Sequence, residues 1–151
     1  MRLFTAAVPP PRIADHLAEA LAGVPMTYRV AGDAWHITIG YYGEESAEDR
    51  IPWVRARLDG CRPPRISLGD MGNFGATLLM TVADPAGDLA ALGAALRWDD
   101  KHPEYNPHLT IGKGEVTALG YRGPEWTVDE VVLLGAEQRH EYTVLARFPL
   151  V

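Results

Sequence analysis

Two segments of this chain carry the same alternating pattern, and any fold must accommodate both. Residues 35–42 read WHITIGYY and residues 107–113 read PHLTIGK. Each contains a tetrad that alternates polar and aliphatic residues, His36-Ile37-Thr38-Ile39 and His108-Leu109-Thr110-Ile111. Successive side chains on a strand point to opposite faces. Extended backbone therefore sets His36 beside Thr38, and His108 beside Thr110, about 6.5–7 Å apart along each strand. Ile37, Ile39, Leu109 and Ile111 turn the other way, into a core that fixes the imidazoles as a site on a rigid element requires. By the same alternation Tyr42 joins the face of His36 and Thr38, while Trp35 and Tyr41 turn to the core. The tetrads stand 72 positions apart (108 − 36), and a glycine follows each, Gly40 and Gly112.

The surrounding chain alternates strand and helix signals. Leu3 to Val8 is a short apolar strand that stops at Pro9-Pro10-Pro11. Proline is tolerated in a helix's first turn, and Ile13, Leu17, Ala20 and Leu21 then recur at helical spacing until Gly23 and Pro25. Tyr28 to Val30 reads as a short strand. Ser46, with Asp49 three residues on, resembles a capping box for a helix whose stripe is Ile51, Val54 and Leu58. Arg65 to Gly69 and Thr77 to Ala83 read as strands joined by a connection around Gly72-Asn73-Phe74-Gly75. Asp84 or Asp88 opens a third helix with Leu89, Leu92 and Leu96. Val131 to Leu134 and Tyr142 to Phe148 close the chain as a hairpin. Residues 1–42 and 77–113 thus echo each other as strand, helix and tetrad strand. Two similar lobes facing each other within a single domain, residues 1–151, are the expectation.

Two facing His/Thr pairs suit one reaction particularly well. Opening a cyclic phosphodiester with water requires a proton taken from the water and a proton given to the departing oxygen, on opposite sides of phosphorus. One neutral and one protonated histidine meet both needs, and histidine's unperturbed pKa of about 6.5 suits either role. Each such role is worth about 10²–10⁴-fold in rate. Threonine hydroxyls donate to the non-bridging oxygens, where charge develops. A lone His-x-Thr is usually structural; a pair on matching strands is not so easily dismissed.

The paired tetrads resemble those of the 2H phosphoesterase superfamily, with a closer likeness to its bacterial LigT-like branch of 2′-5′ RNA ligases and RNA 2′,3′-cyclic phosphodiesterases. MRLFTAAVPP resembles the family's first strand and proline-led helix, WHITIGYYGE its first motif, and Gly69 to Phe74 with Leu78-Leu79 its middle strands. NPHLTIGK resembles its second motif, and VDEVVLLGAEQRHEYTVLARFPL its closing hairpin. The resemblance implies an α+β bilobal fold, two antiparallel sheets forming a central groove with helices outside. It implies His36 and His108 as the acid/base pair, Thr38 and Thr110 as phosphate ligands, and hydrolysis of a 2′,3′-cyclic phosphate on an RNA end or small nucleotide, leaving a 2′-phosphate. Alternatives of the same chemistry are 2′-5′ ligation or cleavage and hydrolysis of ADP-ribose 1″,2″-cyclic phosphate. A non-catalytic binder of RNA ends ranks below these, because all four tetrad residues are intact. Gly40 stands where many relatives carry a basic residue, and Lys113 where arginine is frequent. A lysine cannot offer arginine's planar fork.

Further candidates for substrate contact are Tyr42, which could stack on a base, Phe74, Lys113 and Arg139. His102 and His140 read as solvated, His16 as surface, and Trp35, Trp53, Trp98 and Trp126 as core anchors. No metal and no cofactor are expected. A formal net charge of −6 argues against a broad nucleic-acid-coating surface, but leaves room for a local phosphate pocket. Cys61 is the sole cysteine, so neither an internal disulfide nor a cysteine-based zinc site can form. No apolar run is long enough for a signal-peptide core or a membrane span. A cytoplasmic monomer is the expectation.

Overall fold

The computed structural model describes residues 1–99, 104–115, 118–138 and 141–151; His102, Arg139 and His140 fall outside them. Among the described residues the chain forms β1 (Arg2–Ala7), α1 (Pro11–Leu21), β2 (Tyr28–Arg29), β3 (Ile37–Glu44), α2 (Ala47–Leu58), β4 (Arg65–Phe74), β5 (Thr77–Ala83), α3 (Asp88–Ala95), β6 (His108–Lys113), β7 (Trp126–Thr127), β8 (Glu130–Gln138) and β9 (Glu141–Pro149). Among these helices, none is long and apolar enough to cross a membrane.

The strand order is β7-β4-β5-β6-β3-β1-β8-β9, with β2 also on β6. This α+β arrangement is palindromic. One antiparallel wing, β3-β1-β8-β9, mirrors the other, β6-β5-β4-β7, and the two join at the register pair Ile37↔Leu109. In chain order β1-α1-β3 and β5-α3-β6 each run strand, helix, tetrad strand.

The helices form where the apolar stripes predict. Ile13, Leu17 and Leu21 of α1, Val54 and Leu58 of α2, and Leu89 and Leu92 of α3 enter a common core with Ile37, Ile39, Leu109 and Ile111. Asp84 and Asp88 share the start of α3. Asp88 is its first residue, and the Asp84 carboxylate accepts the N–H groups of Leu89 (3.1 Å) and Ala90 (2.9 Å), satisfying donors a helix start leaves orphaned. Ser46 sits at the N-cap of α2, but its side chain makes no capping hydrogen bond. Strand β4 runs on through Gly72-Asn73-Phe74, so the expected long connection shrinks to Gly75-Ala76, with Gly75 at φ 55°. The two-residue strand β7 pairs Ile66↔Trp126 and is too short to leave a periodic signal.

Each tetrad strand contains an irregularity at the same place. In β3 the partners on β1 run Thr38↔Ala6, then Gly40↔Thr5, leaving Ile39 without a partner. In β6 those on β5 run Thr110↔Leu79, then Gly112↔Leu78, leaving Ile111 without one. One extra residue bulges the strand and reverses the alternation beyond it. The glycines that follow are demanded by close approach. A Cβ on Gly112 would lie 2.2 Å from the Tyr28 carbonyl oxygen, and one on Gly40 would lie 2.7 Å from that of Leu96. Backbone on both sides cannot give way without moving strands. Gly112→Ala is expected to destabilise the fold by about 1–3 kcal/mol, as overpacking does. Gly23→Ala, with nothing within 4 Å of the new Cβ, is expected to be neutral; urea unfolding of both variants checks the contrast.

Candidate active site

The core-facing half of each tetrad is buried, with Ile37 and Leu109 at 0% exposure, and the polar half faces the other way. Counting outward from Ile37↔Leu109 along antiparallel strands sets His36 across from Thr110 and Thr38 across from His108. The sequence motifs thus become a quartet around the seam. Diagonal partners in such a register, as the two histidines are, stand roughly 7–8 Å apart, somewhat less at Cβ.

The two imidazoles are held alike. His36 Nδ1 lies 2.9 Å from the carbonyl oxygen of Ala34, and His108 Nδ1 lies 2.8 Å from that of Asn106. A carbonyl only accepts, so each Nδ1 carries the proton of that bond. This sets the same tautomer in both rings. Aromatic rings support both. Phe4 and Tyr142 lie 5.1 and 4.8 Å from the His36 ring, and Phe74 lies 5.5 Å from that of His108. Thr38 is steadied from the opposite lobe, because the Tyr105 hydroxyl donates to its carbonyl oxygen at 2.8 Å. Burial pushes the Tyr105 phenol up from its ordinary pKa, which keeps that donor protonated.

Phe74 is 60% exposed beside His108, where a substrate ring could reach it. Lys113 ends β6 opposite Thr77, and the Ile111 bulge carries it back toward the face of Thr110. Arg139 lies outside the described residues. Tyr42 requires a correction. The bulge at Ile39 turns it into the core, where its hydroxyl sits 3.1 Å from Thr5 Oγ1 and donates to the Leu96 carbonyl at 3.0 Å. Burial raises its pKa to about 12. Tyr41, expected in the core, is instead 55% exposed and lines a depression with His36 and Thr38. Gly40 faces the core too, so a basic side chain at that position would meet the Leu96 carbonyl rather than a substrate. Trp98, expected as a core anchor, is 53% exposed.

Strict alternation from the start of β1 could have found Phe4, since residues 2, 4 and 6 share a face. Tyr142 needed the tertiary structure. Phe4, Ala6, Val132, Leu134 and Ala136 form a small apolar cluster with Tyr142 packed on it, and that cluster supports His36. Among the described residues no three His, Cys, Asp or Glu side chains are grouped as a metal site would need.

The model of the 2′-5′ RNA ligase superfamily matches residues 9–139. Among solved structures, E. coli LigT complexed with ATP is 26% identical with a TM-score of 0.79, covering 99% of this chain and 97% of that one. E. coli LigT complexed with 3′-AMP is 25% identical, with a TM-score of 0.76 and coverage of 99% and 97%. A Thermus thermophilus protein at 24% identity shares the fold with a TM-score of 0.78 over 99% and 98%. A search of curated proteins gives no match.

Proposed function

Since the chain belongs to the 2′-5′ RNA ligase superfamily, the 2H phosphoesterases, we propose that it hydrolyses 2′,3′-cyclic phosphates on RNA ends or small nucleotides, without a metal. The observation that carries this reading is the matched anchoring of His36 and His108, each through Nδ1 to a carbonyl two residues before it. Two imidazoles oriented alike, one from each tetrad, are what a two-proton, in-line displacement needs.

In the proposed reaction the cyclic phosphate sits over the seam, and the hydroxyls of Thr38 and Thr110 donate to its non-bridging oxygens. His108 Nε2 takes a proton as water attacks phosphorus. The bond from phosphorus to O3′ breaks, and O3′ takes the proton from His36 Nε2. The product carries a 2′-phosphate and a free 3′-hydroxyl. Hydroxyls fixed where negative charge grows are already oriented, so the transition state gains more from them than the ground state does. The nucleotides crystallised with E. coli LigT, ATP and 3′-AMP, fit a groove that accepts such substrates.

The test is a substrate panel of nucleoside 2′,3′-cyclic phosphates, 2′-5′-linked dinucleotides and ADP-ribose 1″,2″-cyclic phosphate, each with and without chelator. The expected result is turnover of the 2′,3′-cyclic phosphates to 2′-phosphates at a rate that chelator leaves unchanged. Abolition by chelator would point to a metal hydrolase, and binding throughout without turnover to an RNA-end binder.

A further inference from the structure

The face carrying His36 and Thr38 continues into a depression of about 250 Å³ that Arg2, Tyr41 and Tyr142 also line. That is below the roughly 300–1,000 Å³ of an ordinary ligand pocket, so it admits part of a ligand rather than a whole one. Its chemistry is specific. Arg2 is the one arginine or lysine among the described residues lining it, in a chain of net charge −6. Guanidinium offers a planar fork that matches phosphate oxygens. The aromatic side chains of Tyr41 and Tyr142 offer surfaces on which a ribose or base can rest.

The wings differ at this point, although their strands correspond. The pair Phe4↔Tyr41 in one matches Thr77↔Lys113 in the other. Counting back two residues from Phe4 and from Thr77, the counterpart of Arg2 is Gly75, which has no side chain. Among the described residues, a group attached to the reacting phosphate therefore meets arginine and tyrosine on the His36 side and Lys113 on the other. On β1, Arg2 is flanked in register by Glu44 and Ala136. Glu44 is engaged with the amino group of Met1 at 2.6 Å.

We infer that Arg2 is a specificity-determining residue that binds a 5′-phosphoryl group on the very nucleoside that bears the cyclic phosphate. The inference rests on the cyclic-phosphate reading above and narrows it. An RNA 3′ end always carries that group, as the phosphodiester to the preceding nucleotide, and a free nucleoside 2′,3′-cyclic phosphate lacks it. Selection for RNA ends would thus come from one guanidinium rather than from a broad basic surface.

Three substrates separate the sources of that phosphate: adenosine 2′,3′-cyclic phosphate, its 5′-phosphorylated form, and the dinucleotide ApA ending in a 2′,3′-cyclic phosphate. The wild-type kcat/KM is expected to be about tenfold higher for both phosphorylated substrates, the worth of one charge-assisted contact in a partly solvated site. Arg2→Gln is expected to bring that ratio close to one, and Arg65→Gln, on strand β4 beside the edge strand β7, to leave it as in the wild type. A dinucleotide preferred beyond the 5′-phosphorylated mononucleotide would extend the subsite to the next nucleoside. Equal turnover of all three, or a ratio that falls in Lys113→Gln and not in Arg2→Gln, would overturn the assignment. Binding of adenosine 2′,5′-bisphosphate against adenosine 2′-phosphate reads the same ratio without turnover. Loss of all turnover with that binding preference intact would overturn the cyclic-phosphate reading and keep the subsite.

Discussion

Replacing either His36 or His108 with alanine is expected to lower kcat/KM for a 2′,3′-cyclic phosphate by about 10²–10⁴-fold, the range for one lost proton-transfer role. The double variant should fall little below the worse single one, because both groups act in one displacement and their effects do not add. The wild-type rate should be bell-shaped in pH, since one imidazole must be neutral and the other protonated in the same molecule. Each single variant should lose one limb of that bell. Near-normal hydrolysis of every cyclic phosphate by either variant would exclude the two-histidine mechanism.

The assignment of acid and base has its own readout. A cyclic substrate with sulfur in place of the bridging 3′ oxygen has a leaving group that departs without protonation. It should rescue His36→Ala and leave His108→Ala impaired. The reverse pattern would exchange the two roles. Folding is a minor concern for these variants, because both rings are only half-buried and the aliphatic members of the tetrads hold the strands.

Much of this geometry was legible in the sequence because it is local. The polar and aliphatic alternation of the tetrads fixes which side chains meet the core. The stripes Ile13-Leu17-Leu21 and Leu89-Leu92-Leu96 mark two helices whose apolar faces enter the core. What was not legible depends on partner strands. A bulge is defined by the strand beside it, so nothing within HITIGYY announces that Ile39 goes unpaired. Tyr41 and Tyr42 exchange faces as a result. The contact of Gly40 with Leu96, and of Phe4 with His36, joins residues far apart in sequence, and neither leaves a period to count. Arg50 is the clearest case. It reads as an ordinary charged helix residue, yet it is 4% exposed.

That burial makes Arg50→Ala the substitution with the largest expected cost in stability. The guanidinium carbon lies 4.6 Å from the ring centres of Tyr42 and Trp53 and 4.0 Å from that of Trp98. The charge is met by Glu45, whose Oε1 accepts from Nε at 2.6 Å and Oε2 from a terminal nitrogen at 2.5 Å. Alanine would empty a box formed by three aromatic rings and strand the carboxylate. Breaking a buried pair costs about 3–5 kcal/mol. The low end, about 3, applies here, because the Glu45 side chain keeps 25% exposure and can regain water. The pair Arg65–Glu125 is the comparison, with side chains 69% and 50% exposed; Arg65→Ala should cost no more than about 1 kcal/mol. Arg50→Lys should fall between, keeping the charge and losing the planar fork. Denaturant unfolding decides the order, and an Arg50→Ala cost equal to that of Arg65→Ala would refute the account. The box also bears on the groove. It holds Tyr42, whose hydroxyl and Thr5 brace the backbone just past the Ile39 bulge, and that bulge turns Tyr41 toward His36 and Thr38. Arg50→Ala should therefore raise KM as well as lower stability, through a residue that touches no substrate.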